Sequence, residues 1–382
     1  MSISRMGATP SILGGLAIMV GQIVIAPDPV VAEPRVLRVA RQVPSVDEPC
    51  HAFSEDGRWG FLDGRGRVAI APEFDEVRNF SEGLAAVRKG EKWGFVDGRG
   101  QFAIDPQFED VGEFSEGLAI VWKSGRLGYI DRTGELAIGP QFVKAGNFSD
   151  GLAPVSKGSK IGFIDHEGNA VTDYRFDLAE DFSEGLARVW IADRPHYNWK
   201  ALPFVGDASG GITPLMTREG KWGYVDRQGS SVIDPQYRVA GPFSQGRAWV
   251  ATKVGDKLEF RFIDRRGRYV GGQSYEAAGD FAEGLAPVRT GGNYGYADTS
   301  GKIVIPARFD WAGRFSEGLA EVRIGSRRGY VDVTGKLAIL ATYDFSYPFH
   351  GGWAKVGMEK DLASARWQYI DRGGKCVWNC EP

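Results

Sequence analysis

Cysteine, histidine and charge of one sign are all scarce in this chain. Only Cys50, Cys376 and Cys380 occur among 382 residues, too few to build a disulfide framework of this length. None of the four histidines, His51, His166, His196 and His350, stands at metal-ligand spacing from another histidine or cysteine. Basic and acidic residues number 46 and 49, a formal charge of −3, which gives no global attraction for nucleic acid. No His-Glu-x-x-His, Gly-x-Ser-x-Gly or phosphate-binding glycine loop is present. These absences predict a non-enzymatic chain with no catalytic, cofactor-binding or metal site.

Long apolar runs are missing too. The longest, Ile12–Ile25, is broken by glycines and Gln22 and falls short of the roughly 20 apolar residues that span a bilayer. With Arg5 ahead of it and Val30-Val31-Ala32 behind it, the segment 1–32 reads as a secretory signal peptide, and 33–48 as a linker. The expectation is a monomer exported to the periplasm, cell surface or medium, with no transmembrane span after signal removal.

What is abundant is glycine, 53 residues without a three-residue period, together with aromatics. The glycines punctuate a repeat. Asp-x-x-Gly opens at Asp63, Asp97, Asp131, Asp165, Asp226, Asp264, Asp298, Asp332 and Asp371. Before most of these stand a large residue, a glycine and an aromatic, as in Trp59-Gly60-Phe61, Trp93-Gly94-Phe95 and Trp222-Gly223-Tyr224. A phenylalanine follows each Asp but the last by 17 residues, opening Phe80-Ser-Glu-Gly-Leu-Ala and its counterparts at Phe114, Phe148, Phe182, Phe243, Phe281, Phe315 and Phe349. Between them runs a stretch ending in Pro-x-aromatic, such as Pro106-Gln-Phe108.

One unit of about 34 residues reads as a three-stranded antiparallel meander. Strand A is Leu84–Arg88, strand B Lys92–Val96 and strand C Gln101–Ile104. Alternation puts Trp93 and Phe95 on one face, and Gly94, lacking Cβ, admits a close neighbour. The Asp of Asp-x-x-Gly is expected to bond backbone two residues on, and its Gly to take positive φ. Trp93, Trp222 and Trp59 should be largely buried. Pro154 and Pro287 cannot donate to a ladder, which predicts that strand A lies at a sheet edge.

These landmarks resemble the WG-repeat family over roughly residues 49–380. Repeats three and four depart from the pattern with Leu127 and Ile161 for the Trp, and repeat six reads Arg261-Phe262-Ile263 without the glycine. The resemblance implies a bacterial, non-catalytic repeat protein and says little about its ligand.

The expected fold is all-β, a tandem array of nine three-stranded repeats in an open or curved solenoid, with a closed propeller-like ring as the alternative. Repeats one to four are assigned to 49–191, an insertion loop to 192–217, and repeats five to nine to 218–382. The Phe-to-next-Asp spacing is 17 residues in five cases and 44, 21 and 22 in the others, and all the variation falls in the A–B connection. Insertions confined to one edge mark a binding face. The largest offers His196, Tyr197, Trp199 and Phe204 as candidate ligand-binding residues, against the alternative of a hairpin packed back on the array.

The A–B turns are basic (Lys89, Lys92, Lys157, Lys160, Arg327, Arg328) and the turns before strand A acidic (Glu82, Glu116, Asp150, Glu184, Glu283, Glu317). Asp75, Glu76, Glu109 and Asp110 are expected near the basic turns, offsetting them. Cys376 and Cys380 can pair only if the chain end turns back, leaving Cys50 as a buried thiol; a link from Cys50 to either would mark a ring. The functional expectation is a protein-binding scaffold, with a binder of envelope polysaccharide or anionic cell-wall polymer as the alternative partner class.

Overall fold

The computed structural model describes residues 49–193, 220–358 and 366–380. They form nine small antiparallel sheets that follow one another round a ring, hereafter blades one to nine. Blade two shows the plan. Strand β4 (Glu76–Ser81) lies innermost, then β5 (Leu84–Lys89), β6 (Lys92–Val96) and outermost β7 (Phe102–Phe108), in the order β4-β5-β6-β7. The last three are the expected strands A, B and C.

The inner strand corrects two expectations. Seven of the nine described sheets have four strands, not three. Strand A is therefore interior, not an edge. The proline argument fails because Pro154 turns its missing N–H toward the inner strand, where Gly146 N still donates to Pro154 O at 2.8 Å. The Gly146 carbonyl takes the Tyr129 hydroxyl of the preceding blade at 2.7 Å, as the Gly241 carbonyl takes Tyr224. One- and two-residue pairings of this kind, such as Lys144-Ala145 on Val155-Ser156, carry no alternating pattern for a sequence to display.

The Trp-Gly glycine is explained by strand C. Opposite Trp93-Gly94-Phe95 the partners jump from Phe108 to Ile104, so Asp105-Pro106-Gln107 bulges over Gly94. A Cβ on Gly94 would lie 2.5 Å from Ile104 O and 2.7 Å from Pro106 N. In blade six, where Arg261 replaces this glycine, strand C itself supplies Gly271 and Gly272 in the matching stretch. The space is kept by moving the glycine to the other strand.

Each blade packs one face against the opposite face of the next. Trp93, Phe95, Leu84 and Ala86 meet Ala119, Val121 and Ile130 across the interface between blades two and three. The aromatic after each Trp-Gly glycine meets the inner-strand Phe of the following blade, as Phe61 meets Phe80 and Tyr330 meets Phe349, with ring centroids 4.8 and 4.9 Å apart. The Asp-x-x-Gly turn behaves as expected: Asp97 Oδ1 accepts Arg99 N at 2.8 Å and Gly100 has φ 78°.

The array is closed, which corrects the open solenoid. Phe53 and Leu62 of blade one share a cluster with Trp353 and Tyr369 of blade nine, and Tyr369 Oη donates to Ala52 O at 3.0 Å. Blade one has no inner strand among the described residues, so this seam is built differently from the other eight junctions. The usual strand A Leu is Trp353 here, and the usual Ala is His51, and the two rings stack at 4.7 Å. The side chain of Cys50 lies outside the described residues. Cys376 and Cys380 are bridged, with Cα atoms 5.7 Å apart, because the chain turns back at Asn379, φ 54°.

Candidate functional site

Three surfaces of the ring could meet a ligand: the loop tips, the belt of Phe-Ser-Glu-Gly turns and the axis. His196, Tyr197, Trp199 and Phe204 lie outside the described residues. What is described is their frame. Ala187–Ala192 and Gly220–Val225 pair through to Ala192↔Gly220, so the insertion interrupts blade five, between strands A and B of one sheet. That sheet also includes Leu178-Ala179 and Ser231–Tyr237, so the fourth sheet ends before residue 178 and strand A of 187–192 belongs to the fifth. The length change of blade six likewise only extends its A–B hairpin, out to Val254↔Lys257.

Several of the basic tips carry local ion pairs. Arg58 pairs with Asp75 at 2.5 Å, Lys160 with Asp177 at 2.7 Å and Arg327 with Asp344 at 2.6 Å. Asp75 Oδ2 also accepts Gly90 N at 2.7 Å, and Glu109 Oε1 accepts Ser124 N at 3.1 Å, so these acids close the turns as well. Asp110 is buried and pairs with Arg78 of the preceding blade at 2.7 Å.

The acidic turns are not a charge patch but latches between blades. Glu82 Oε2 accepts Gly117 N at 3.0 Å, Glu116 accepts Gly151 N at 2.9 Å and Glu283 accepts Gly318 N at 2.9 Å. The adjoining serine donates forward: Ser81 Oγ to Phe114 O, Ser115 to Phe148 O and Ser316 to Phe349 O, each at 2.7 Å. Glu82 and Glu116 both hold φ 53°, a left-handed conformation costly for a residue with a Cβ. A charge-assisted bond to the next blade offsets that cost. The latches stop at the seam, where His350 and Gly351 occupy the serine and glutamate places.

At the axis, side chains from separate blades converge. Arg188 bonds Glu180 of its own blade, with Nε to Oε2 at 2.7 Å, and its Nη1 donates to Ala240 O of the next. Trp249 Nε1 donates to Asp280 Oδ1 at 2.8 Å, and Asp280 in turn feels Arg188 and Arg314. Burial raises the Asp280 carboxyl, and burial together with Glu180 pushes Asp181 up to about 7. Glu321, buried and accepting from Ser346 Oγ at 2.6 Å, is likewise raised by burial to about 7. Groups that hold protons near neutrality can tune charge along the axis. Here each is engaged by a neighbour of its own ring, an arrangement suited to holding blades together. Sequence reasoning passed over these residues. The signal was present, because the strand A position of Arg188 and Glu321 holds Ala86, Ile120 and Pro154 in other repeats.

Among the described residues, Trp93 and Trp222 are 5% and 1% exposed, as expected. Trp59 is less fully buried than these two, for a local reason. In blade two Arg78 of the inner strand covers Trp93 at 4.6 Å. Among the described residues, Lys355 of blade nine reaches Trp59, 6.0 Å from its ring and 4.7 Å from Trp367.

No curated protein matches the chain. Among solved structures it is similar to dihydro-heme d1 dehydrogenase NirN in complex with DHE, at 11% identity, 92% of this chain, 76% of that one and a TM-score of 0.43. It is also similar to PorZ, a bacterial surface component of the type-IX secretion system of Porphyromonas gingivalis, at 11% identity, 85% and 51% coverage and a TM-score of 0.27. Kluyveromyces lactis Hsv2 is similar at 10% identity, 76% and 94% coverage and a TM-score of 0.33. The repeat profile described as WG containing repeat matches eight times, over 59–93, 93–125, 128–160, 161–189, 222–253, 261–294, 294–327 and 329–360. Most of those spans hold the Trp-Gly glycine that admits the strand C bulge and the turn that latches blade to blade, and the chain belongs to the WG containing repeat family.

Proposed function

We propose that this protein is an exported, non-enzymatic binding module, a rigid ring whose A–B loops, the blade five insertion above all, engage a protein partner. The observation that carries this reading is the hairpin paired through to Ala192↔Gly220, beneath the insertion. A segment hung on a finished hairpin can vary without touching the blade cores, and such loops on a rigid scaffold are where recognition concentrates. The pairing of Arg58, Lys160 and Arg327 with their own acids weighs against an anionic cell-wall polymer as ligand.

The test replaces Asp193–Thr217 with a short turn copied from Lys89-Gly90-Glu91. Circular dichroism and thermal stability should match the parent, while capture of a specific protein from the cell envelope is lost. Equal capture by both forms would move the binding site off this loop, and salt-sensitive retention on purified wall material would favour the polymer.

A further inference from the structure

We propose that the Cys376–Cys380 bridge is a redox-exchange site that clasps the joint between blades nine and one, and that a dithiol of the Cys-x-x-Cys kind opens it. The last strand C is short. In blade eight strand C runs over Leu337–Tyr343 and is paired at its start, Val331↔Leu337, and at its far end, Arg328↔Tyr343. In blade nine it is Cys376–Trp378, with the described pairs Ile370↔Cys376 and Tyr369↔Trp378. Beyond Trp378 the chain reverses at Asn379, φ 54°, whose Nδ2 donates to Trp367 O at 2.6 Å. The bridge then ties Cys380 back to Cys376, and so holds at this end what the far pair holds in blade eight.

What the clasp holds is the seam. Trp378 stands opposite Tyr369 as Ile339 stands opposite Tyr330. At most other joints that isoleucine packs on the turn glycine of the next blade, as Ile70 does on Gly100 and Ile305 on Gly335. At the seam the Trp378 indole meets Phe53 of blade one at 5.7 Å and Tyr369 at 5.9 Å. Val377 O lies 2.9 Å from where a Cβ on Gly66 of blade one would stand. Val377 and Trp378 pack on the cluster of Phe53, Leu62, Trp353 and Tyr369, and both lie inside the loop that the bridge closes. Cys380 is exposed and Cys376 half-buried, so the Cys380 sulfur is the one open to attack. A thiolate of the dithiol bonds to Cys380 Sγ, the S–S bond breaks, and its electron pair leaves on Cys376, which takes up a proton. The second thiol of the dithiol attacks its own partner sulfur in the mixed disulfide and displaces Cys380 as a thiol. The protein gains two protons and two electrons, and the dithiol leaves as a disulfide. Trp378 and Asn379 then regain the conformational freedom of a chain end, and holding the indole on Phe53 costs more entropy.

The probe is dithiothreitol, added to the full chain under native conditions, with alkylation and mass mapping of the cysteines and amide hydrogen exchange read together. The expected result is new alkylation of Cys376 and Cys380, with exchange at least about tenfold faster at Ala52–Ser54 and Cys376–Trp378 and unchanged at Phe95 of blade two. Reoxidation with oxidised glutathione should restore the slow rates. The Cys376→Ser, Cys380→Ser double variant should show the fast seam rates without reductant and no response of the seam to it. Trp378→Ala, which keeps the bridge, should speed exchange at Ala52–Ser54 in the oxidised protein. If the double variant does not fold, reduction and reoxidation of the parent decide. The proposal is overturned by a bridge that stays closed in excess dithiothreitol, by seam rates that do not change on reduction, by acceleration across all nine blades alike, which would make the bridge a support of the whole fold, or by a Trp378→Ala protein whose blade one rates match the parent.

Discussion

Gly94→Ala should be among the most damaging single-methyl changes in the ring. The added Cβ would meet Ile104 O at 2.5 Å and Pro106 N at 2.7 Å, both backbone atoms of the bulge rather than the flexible end of a side chain. Relief requires moving the bulge, whose next residues carry Phe108 into a fully packed core beside Trp93. Overpacking costs about 1–3 kcal/mol, and displacement of backbone puts this case at the upper end, about 3 kcal/mol. Gly158→Ala is the matched control, since nothing lies within 4 Å of its Cβ, and it should change stability by less than about 0.5 kcal/mol. Urea unfolding of both variants, with native-state hydrogen exchange to localise the loss to blade two, gives the comparison. Gly94→Ala as stable as Gly158→Ala would refute the role assigned to the Trp-Gly glycine.

Other outcomes follow from the same structure. Burial, with His350 nearby, lowers His51 to about 4 from 6.5, so the unfolded chain binds a proton that the ring does not, and stability should fall as pH drops from about 6.5 to 4, by at most about 3 kcal/mol; His51→Phe should flatten that slope in pH-dependent unfolding. Glu116→Ala keeps the left-handed backbone but loses the bond to Gly151, whereas Glu116→Gly also relieves the strain, so chemical denaturation should show alanine as the worse by about 1 kcal/mol. Trp93→Ala should cost about 3–5 kcal/mol in the same assay, because the indole is 5% exposed in the blade two core.

Much of this architecture was legible because it repeats. Trp93, Gly94 and Phe95 announced strand B and its close neighbour, and the Asp97 loop announced the following turn. The inner strands escaped notice since Lys144-Ala145 or Leu178-Ala179 are two-residue pairings with no period to read. Closure was the alternative rather than the first expectation for another reason. Two substitutions mark it, Trp353 for leucine and His51 for alanine, and each looks like ordinary drift until the stacked rings show they touch. The acids of the Phe-Ser-Glu-Gly turns were visible, but their service to the next blade depends on contacts 35 residues away, such as Glu82 with Gly117. The insertion remains the part whose chemistry rests on composition alone.

The latches also give the circle a direction. Every Ser hydroxyl and Glu carboxylate reaches forward along the chain and none of those described reaches back, so each blade presents one kind of surface to its successor and another to its predecessor. Interfaces of this head-to-tail type do not limit their own number; they end only when the last surface meets the first. A gene that gained or lost one unit would leave every internal joint unchanged and alter only the angle left over at the seam. A fragment cut from the middle would carry two unsatisfied, mutually complementary ends. Such fragments should associate tail to head into chains or smaller circles, whereas in the intact protein His350 and Gly351 stand where the last latch would be.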